Sequence, residues 1–299
     1  MTHAIRFESF GGPEVLQYCE VEVPEPGEGE ARVAHRAIGV NFIDVYHRTG
    51  LYPLALPSGL GGEGAGVVAA VGPGVRHLKG GDRVAYTAPP PLGSYSDERV
   101  VAARCLVKLP DTIGDETAAA MMLKGLTAWY LLKRSFKVAA GDWIVLYAAA
   151  GGVGLIAAQW ARELGARVIG IVSTPAKREL ALAHGCEHVL LDGDDVPRRV
   201  RELSGGGVPV VYDSVGRTTF YQSLDCLRPH GVLVSFGNAS GKVEPFGLHE
   251  LMRRGSLYVT RPTLQDFIGE RASLDAGAAE LFGLVEKRRV EIEVNQKYA

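Results

Sequence analysis

Trp143-Ile144-Val145-Leu146-Tyr147 runs without a break into Ala148-Ala149-Ala150-Gly151-Gly152-Val153-Gly154. Five apolar, mostly β-favouring residues thus meet a turn almost free of side chains. Residues 155–165 follow with a helical apolar face and close on Leu164-Gly165, a C-terminal glycine stop. Strand, tight turn and helix in this order open a dinucleotide-binding unit. A bare turn lets backbone N–H groups approach a pyrophosphate, and the helix N-terminus adds partial positive charge. In the G-x-G-x-x-G register the glycine positions are Ala149, Gly151 and Gly154. Alanine at the first requires negative φ there, Gly151 is the close-approach position, and Gly154 packs helix on strand. A lone glycine pattern also fits an ordinary structural turn. A second strand at 166–172 completes a βαβ unit and favours a cofactor held by Ala150, Gly151, Gly152, Val153 and Gly154.

At 299 residues with 46% hydrophobic content, the chain suggests two domains. From Gly141 onward strands are expected at 143–147, 166–172, 188–191, 208–212, 231–235 and 257–260. Helices are expected at 152–164, 175–184, 194–204, 216–227 and 246–253. This alternation predicts an α/β fold with a parallel, doubly wound sheet. Residues 4–107 are different: short apolar runs at 31–40, 66–71, 83–86 and 99–101 alternate with Gly/Pro turns, predicting a small antiparallel barrel. Residues 117–133 read as a helix at the boundary. The expected division is 1–124, 125–262, and a return of 263–299 to the first domain. There, 276–288 reads as helix and 290–294 as strand. The stop at Ala299 reads either as a natural end or as a truncation.

The formal net charge is −2, and the basic pairs Arg198-Arg199 and Arg253-Arg254 lie apart. No basic stripe points to nucleic acid or a membrane surface. Cys19, Cys105, Cys186 and Cys226 show no C-x-x-C spacing, which fits a reducing cytosol and predicts a cytoplasmic protein. No apolar run has membrane-spanning length, and the N-terminus lacks the apolar core of a signal peptide.

In NAD-binding units an acid ends the second strand and bonds the adenine-ribose 2′-hydroxyl. Here that strand ends Ile171-Val172-Ser173-Thr174-Pro175, with Lys177 just beyond. A missing acid and a nearby cation favour a 2′-phosphate, held by Ser173 and Lys177, and so NADPH. An exposed helix lysine is the alternative for Lys177. Asp192 ends the third strand, and its charge would oppose a phosphate, so it is left outside the site. Ligands of open α/β sheets bind beyond the strands' carboxyl ends. That rule nominates Val215 after the fourth strand, and Phe236, Asn238 and Ser240 after the fifth. Asp213 reads equally as a helix cap or a cofactor residue.

With these motifs in view the chain resembles the medium-chain dehydrogenase/reductase superfamily. The Ala149-to-Gly154 turn lies behind a β-rich domain containing Gly61-Gly62-Glu63-Gly64-Ala65-Gly66. Ile38-Gly39-Val40-Asn41-Phe42-Ile43-Asp44-Val45-Tyr46, Leu51-Tyr52-Pro53, Met122-Leu123-Lys124-Gly125-Leu126-Thr127 and Val211-Tyr212-Asp213-Ser214-Val215-Gly216-Arg217 look like its quinone oxidoreductase, zeta-crystallin-like branch. The resemblance implies a Rossmann domain plus a GroES-like domain, a homodimer, and a cleft for nicotinamide and substrate lined by Asn41, Tyr46, Tyr52 and Thr127. Asn41 and Thr127 can hydrogen-bond a carboxamide or phosphate, and the tyrosines offer a flat wall and a hydroxyl. Each tyrosine reads equally as packing. Lys124 is a lesser candidate.

Zinc alcohol dehydrogenases of the superfamily carry a cysteine near Asn41 and Gly-His-Glu where this chain has Gly61-Gly62-Glu63. Asn41 and Gly62 supply neither thiolate nor imidazole. Without zinc, an already electrophilic acceptor suits the chain, and a quinone fits. NADPH-dependent quinone reduction is therefore the expected activity. Reduction of enone or enoyl C=C bonds, and a non-catalytic NADPH-binding structural or redox-sensing protein, are the alternatives. The purified protein should hold no stoichiometric zinc; about one tightly bound zinc per chain in elemental analysis, lost together with activity on chelation, would overturn this.

Overall fold

A computed structural model describes residues 1–298. They form two compact units. The first comprises Met1–Leu123, Gly269–Glu286 and the chain from Ile292, and the second Lys124–Ile268 and Lys287–Glu291.

The first unit is antiparallel. Its strands are β1 (Thr2–Phe7), β2 (Gln17–Val21), β3 (Glu30–Ile38), β4 (Ser58–Gly59), β5 (Glu63–Val71), β6 (Arg83–Thr87), β7 (Glu98–Ala102) and β8 (Leu106–Lys108). They make a three-stranded sheet, β2-β1-β4, and a five-stranded sheet, β7-β3-β5-β6-β8. Alternating positions face the core: Ala31 and Val33 on β3, and Val84 and Tyr86 on β6, pack with Val68, Val101 and Leu106. Register shifts between β3 and β5 fall at Arg32/Val33 and His35/Ala37, bending the pair where Asn41 leaves it. One helix in this unit escaped the sequence reading, α1 (Phe42–Arg48). It is only about two turns long inside a β-rich stretch, started by Asn41 with Asp44 three residues on.

Helix α2 (Asp115–Tyr130) carries the chain from the first unit into the second and widens over Leu131–Ser135. The second unit then alternates: β9 (Trp143–Tyr147), α3 (Gly152–Glu163), β10 (Arg167–Val172), α4 (Pro175–Ala183), β11 (His188–Leu191), α5 (Val196–Ser204), β12 (Val208–Asp213), α6 (Phe220–Asp225), β13 (Leu227–Ser235), α7 (His249–Arg253), β14 (Tyr258–Thr260) and α8 (Leu264–Ile268). All six strands are parallel in the order β11-β10-β9-β12-β13-β14. The order reverses between β9 and β12, which makes their carboxyl ends the switch-point crevice of a doubly wound sheet. The central strands are mostly apolar and buried: Val145, Ile169, Ile171, Val211 and Leu233 share one core with Val200, Phe220 and Leu224 from the helices.

Three expectations need correction. The fourth crossover helix was expected over 216–227 but is confined to Phe220–Asp225. Gly216 turns with φ +94, and the Asp213 carboxylate holds 215–219 as a loop. The helix expected over 246–253 is only His249–Arg253. Residues 290–294 form no strand. The backbone of Glu291 pairs instead with a side chain: Gln159 Nε2 donates to Glu291 O at 3.1 Å, and Glu291 N–H returns a bond to Gln159 Oε1 at 2.9 Å. An amide side chain mimics a strand neighbour for one residue and cannot continue a ladder. Helix α9 (Arg271–Glu286) precedes this segment.

In the turn after β9, Ala149 avoids positive φ, as alanine in the first glycine position requires. Positive φ falls on Ala148 (+51), one residue before the alanine in the first glycine position. Gly154 is held as expected: a Cβ there would lie 2.3 Å from Ala148 O and 2.6 Å from Ala149 O. Gly154→Ala should therefore destabilise the protein by about 1–3 kcal/mol or more, because backbone must move. Gly193→Ala, with no heavy atom within 4 Å of the new Cβ, is the control and should be near neutral. Denaturant midpoints of both variants check this.

Candidate active site

In the first unit, the bend after β3 delivers Asn41, buried with 7% exposure, to the start of α1. Its N–H donates to Asp44 Oδ2 at 2.9 Å, and the same oxygen accepts from Tyr95 Oη at 2.9 Å. The Asn41 side-chain amide is fixed as well. Its Nδ2 donates to Glu63 Oε2 at 2.6 Å, and Glu63 Oε1 accepts from Leu123 N–H at 2.6 Å. Glu63 is fully buried at the head of β5. One carboxylate thus joins the ends of two strands to α2, with the charge-assisted bonds a buried anion requires.

Along α1 the rings continue. Phe42 and Tyr46 meet edge-to-face at 5.3 Å, and Tyr46 and Tyr52 at 5.0 Å. Tyr52 N–H closes the loop on Tyr46 O at 3.1 Å. His47 adds its ring 6.1 Å from Tyr52; burial lowers its pKa, and its Nδ1 lacks a partner. The structure therefore brings Asn41, Tyr46 and Tyr52 together. Glu63 and Asp44 were missed as site residues, although both stand inside motifs already singled out.

Behind this cluster, His35 Nε2 lies 2.7 Å from Tyr86 Oη, and its Nδ1 lies 2.7 Å from Ser96 O. Tyr86 Oη reaches Ser94 Oγ at 2.9 Å. Burial pushes the Tyr86 phenol up and the His35 imidazole down to about 4, against an ordinary value of 6.5. Between these two values the unfolded chain binds the extra proton, so stability falls as the pH drops through that window. The contribution is complete above about pH 6.5 and amounts to roughly 3 kcal/mol lost by pH 4. Denaturant midpoints measured from pH 7 to 4 should show this slope, and His35→Gln should flatten it; an unchanged slope would assign the titration to another group.

In the second unit, a cleft of about 490 Å³ opens at the carboxyl ends of β9, β10 and β12. Ala150, Gly151, Ser173, Lys177 and Val215, all nominated from sequence, line it. Tyr147, Asp192, Thr218, Thr219 and Gln222 also line it and were not nominated. The carboxyl-end rule alone points to them, since each lies at or just past the end of a strand, or in the loop and helix that follow β12. Gly152, Val153 and Gly154 form the first turn of α3, and their N–H groups have no backbone partner among the described residues. Such unpaired donors fit an anion. Lys177 lies in the first turn of α4, capped by Thr174, and its Nζ donates to Ser173 Oγ at 3.0 Å.

Asp213 resolves into neither of its two readings. It is 1% exposed and accepts four bonds, from Val215 N, Gly216 N, Thr219 Oγ1 and Ser223 Oγ, at 2.7 to 3.1 Å. It is the internal knot of the loop that carries Val215. Ser240 laces the neighbouring loop to it: its N–H and Oγ both donate to Val215 O, and its Oγ accepts from Thr218 N–H. Phe236 N–H donates to Asp213 O. Phe236, Asn238 and Ser240 thus stand around the loop and outside the cleft lining, and Thr127 lies buried on α2.

Residues 27–111 match the alcohol dehydrogenase GroES-like domain, and residues 152–273 the zinc-binding dehydrogenase family. A quinone oxidoreductase of Pseudomonas aeruginosa is 54% identical over the whole chain and 93% of its own length. The chain belongs to the quinone oxidoreductase branch of the medium-chain dehydrogenase/reductases. The structure of Escherichia coli quinone oxidoreductase complexed with NADPH matches with a TM-score of 0.96 and 48% identity, covering 98% of this chain and 90% of that one. A 2-haloacrylate reductase of a Burkholderia species is 47% identical over 92% of the chain and 85% of its own length.

Within this branch of a zinc-dehydrogenase superfamily, the positions of the zinc ligands take on a local meaning. Asn41 and Glu63, which stand in the two segments compared above with the zinc enzymes, hydrogen-bond each other. Among the described residues no group of three or more His, Cys, Asp or Glu side chains is placed to hold a metal ion. No helix among them is long and apolar enough to cross a membrane.

Proposed function

We propose that this chain is an NADPH-dependent quinone oxidoreductase that works without a metal. The observation that carries the reading is the cleft at the switch point of the sheet. It combines a turn of alanines and glycine, the open N-terminus of α3 and the Ser173–Lys177 pair. The whole-chain likeness to the enzyme complexed with NADPH supports it.

Bound NADPH supplies the reducing hydride. The second unit's task is to hold it. The N–H groups of Gly152, Val153 and Gly154 suit the pyrophosphate, and Lys177 with the N-terminus of α4 suits a 2′-phosphate. Asp213 and Ser240 keep the Val215 loop in one conformation. We assign Asn41, Tyr46, Tyr52 and Thr127 to the nicotinamide and acceptor. Glu63 Oε2 accepts a hydrogen bond from the Asn41 Nδ2 and so fixes which way that amide faces. The Tyr46–Tyr52 pair offers a flat ring acceptor an aromatic wall. In this reading the first unit is the acceptor domain and the second the cofactor domain.

The haloacrylate reductase relative, 47% identical where the E. coli enzyme is 48%, supports a second reading in which activated C=C bonds are reduced by the same cofactor. NADPH oxidation with a panel of quinones, haloacrylates, enones and no acceptor separates the readings. Quinone-dependent turnover is expected, and turnover with C=C acceptors alone would replace it. We further propose a homodimer. The outer edge of β14 has no strand partner among the described residues, and Leu248, Met252 and Tyr258 nearby are exposed. The four free cysteines fit a cytoplasmic setting.

Lys177→Ala should raise the Michaelis constant for NADPH by one to two decades, about 1–3 kcal/mol, while leaving that for NADH nearly unchanged. High salt should narrow the gap. Equal weakening of both cofactors, measured by steady-state kinetics, would remove the lysine from the phosphate site.

A further inference from the structure

The cleft contains one charged group that the proposed function leaves unused. Strands β10 and β11 pair in parallel with Val172 opposite Leu191, and Asp192 N–H donates to Val172 O at 2.9 Å. The residues that follow, Ser173 and Asp192, therefore leave the sheet side by side at its carboxyl edge. Both line the same cleft as Lys177. Lys177 Nζ turns to Ser173 Oγ at 3.0 Å, and the exposed Asp192 carboxylate has neither a hydrogen-bond nor an ion-pair partner among the described residues.

We propose that Asp192 is a specificity-determining residue that limits the preference for NADPH and lets NADH bind in the same cleft. The inference rests on the reading that Ser173 and Lys177 receive the 2′-phosphate. A phosphate monoester carries close to two negative charges at neutral pH, so a carboxylate in its cleft opposes the attraction of Lys177. The same carboxylate is an acceptor for a free 2′-hydroxyl. In NAD-binding units that acceptor ends the second strand. Here it stands one strand over, brought level with the second strand's end by the β10–β11 register. Each cofactor thus meets one favourable group, Lys177 for the phosphate and Asp192 for the hydroxyl. Selectivity is the difference between the two affinities, so the presence of both groups compresses it.

Direct titration of NADPH and NADH, followed by cofactor fluorescence, tests this on the wild type, Asp192→Asn and Lys177→Ala. Asparagine is nearly isosteric and the position is exposed, and melting curves check that the fold is kept. Asp192→Asn should tighten NADPH about two- to fivefold at low salt, and the gain should shrink at high salt. It should weaken NADH, so that the ratio of the two dissociation constants widens. Lys177→Ala separates the two possible failures. If it weakens NADPH selectively while Asp192→Asn leaves the ratio unchanged or weakens NADPH, the Asp192 inference is wrong and the phosphate site stands. If Lys177→Ala alters neither cofactor, the phosphate site itself is misplaced, and the Asp192 inference falls with it.

Discussion

Where α3 starts against β9 there is no room for a side chain at Gly154, and the second unit is built around that crowding. A Cβ on Gly154 would lie 2.3 Å from the Ala148 carbonyl oxygen, so α3 starts against the end of its own strand. Because β9 is central, with β10 and β12 on either side, the helix N-terminus opens where the strand order reverses. Unpaired N–H groups and the helix dipole then face one edge of the sheet. The backbone strain of the turn falls on Ala148, whose φ of +51 is unusual for a residue with a side chain.

Buried polar groups hold several loops of each unit by hydrogen bonds. Asp213 accepts four hydrogen bonds and holds Val215 and Gly216 in a loop that apolar packing alone would leave free. Removing any one of these donors would leave a buried carboxylate oxygen short of a partner. Gln159 performs a related task on α3, pairing with both backbone groups of Glu291. In the first unit Glu63 ties Asn41 to the Leu123 N–H. These are local knots, and they account for why segments with little hydrophobic content keep one conformation.

The branch of the superfamily is written in the same chemistry. Asn41 and Gly62 supply neither a thiolate nor an imidazole. The amide of Asn41 turns to the Glu63 carboxylate, and a residue lacking a side chain fills the remaining position. The rings of Phe42, Tyr46 and Tyr52 pack edge-to-face in sequence along α1 and the loop after it.

The sequence by itself determined the period of each element, and with it the fold class. The apolar strands of the second unit, the glycine turn, the proline-started α4 and the Gly/Pro-punctuated first unit were all legible because each is a local pattern. The cluster of Asn41, Tyr46 and Tyr52 and the pair of Ser173 and Lys177 were legible too, since each lies within a dozen residues of chain. Tertiary structure alone decided what depends on distant partners. Residues 290–294 alternate like a strand, yet the chain gives them a glutamine side chain in place of a neighbouring strand. Asp213 offered two local roles and took a third, because its donors Thr219 and Ser223 come within reach only once the loop folds back. Asp192 was set aside for its charge, and the β10–β11 register nevertheless places it beside Ser173. Periodicity is fixed by backbone geometry and burial within one segment, whereas register and loop closure are free-energy minima over several segments at once.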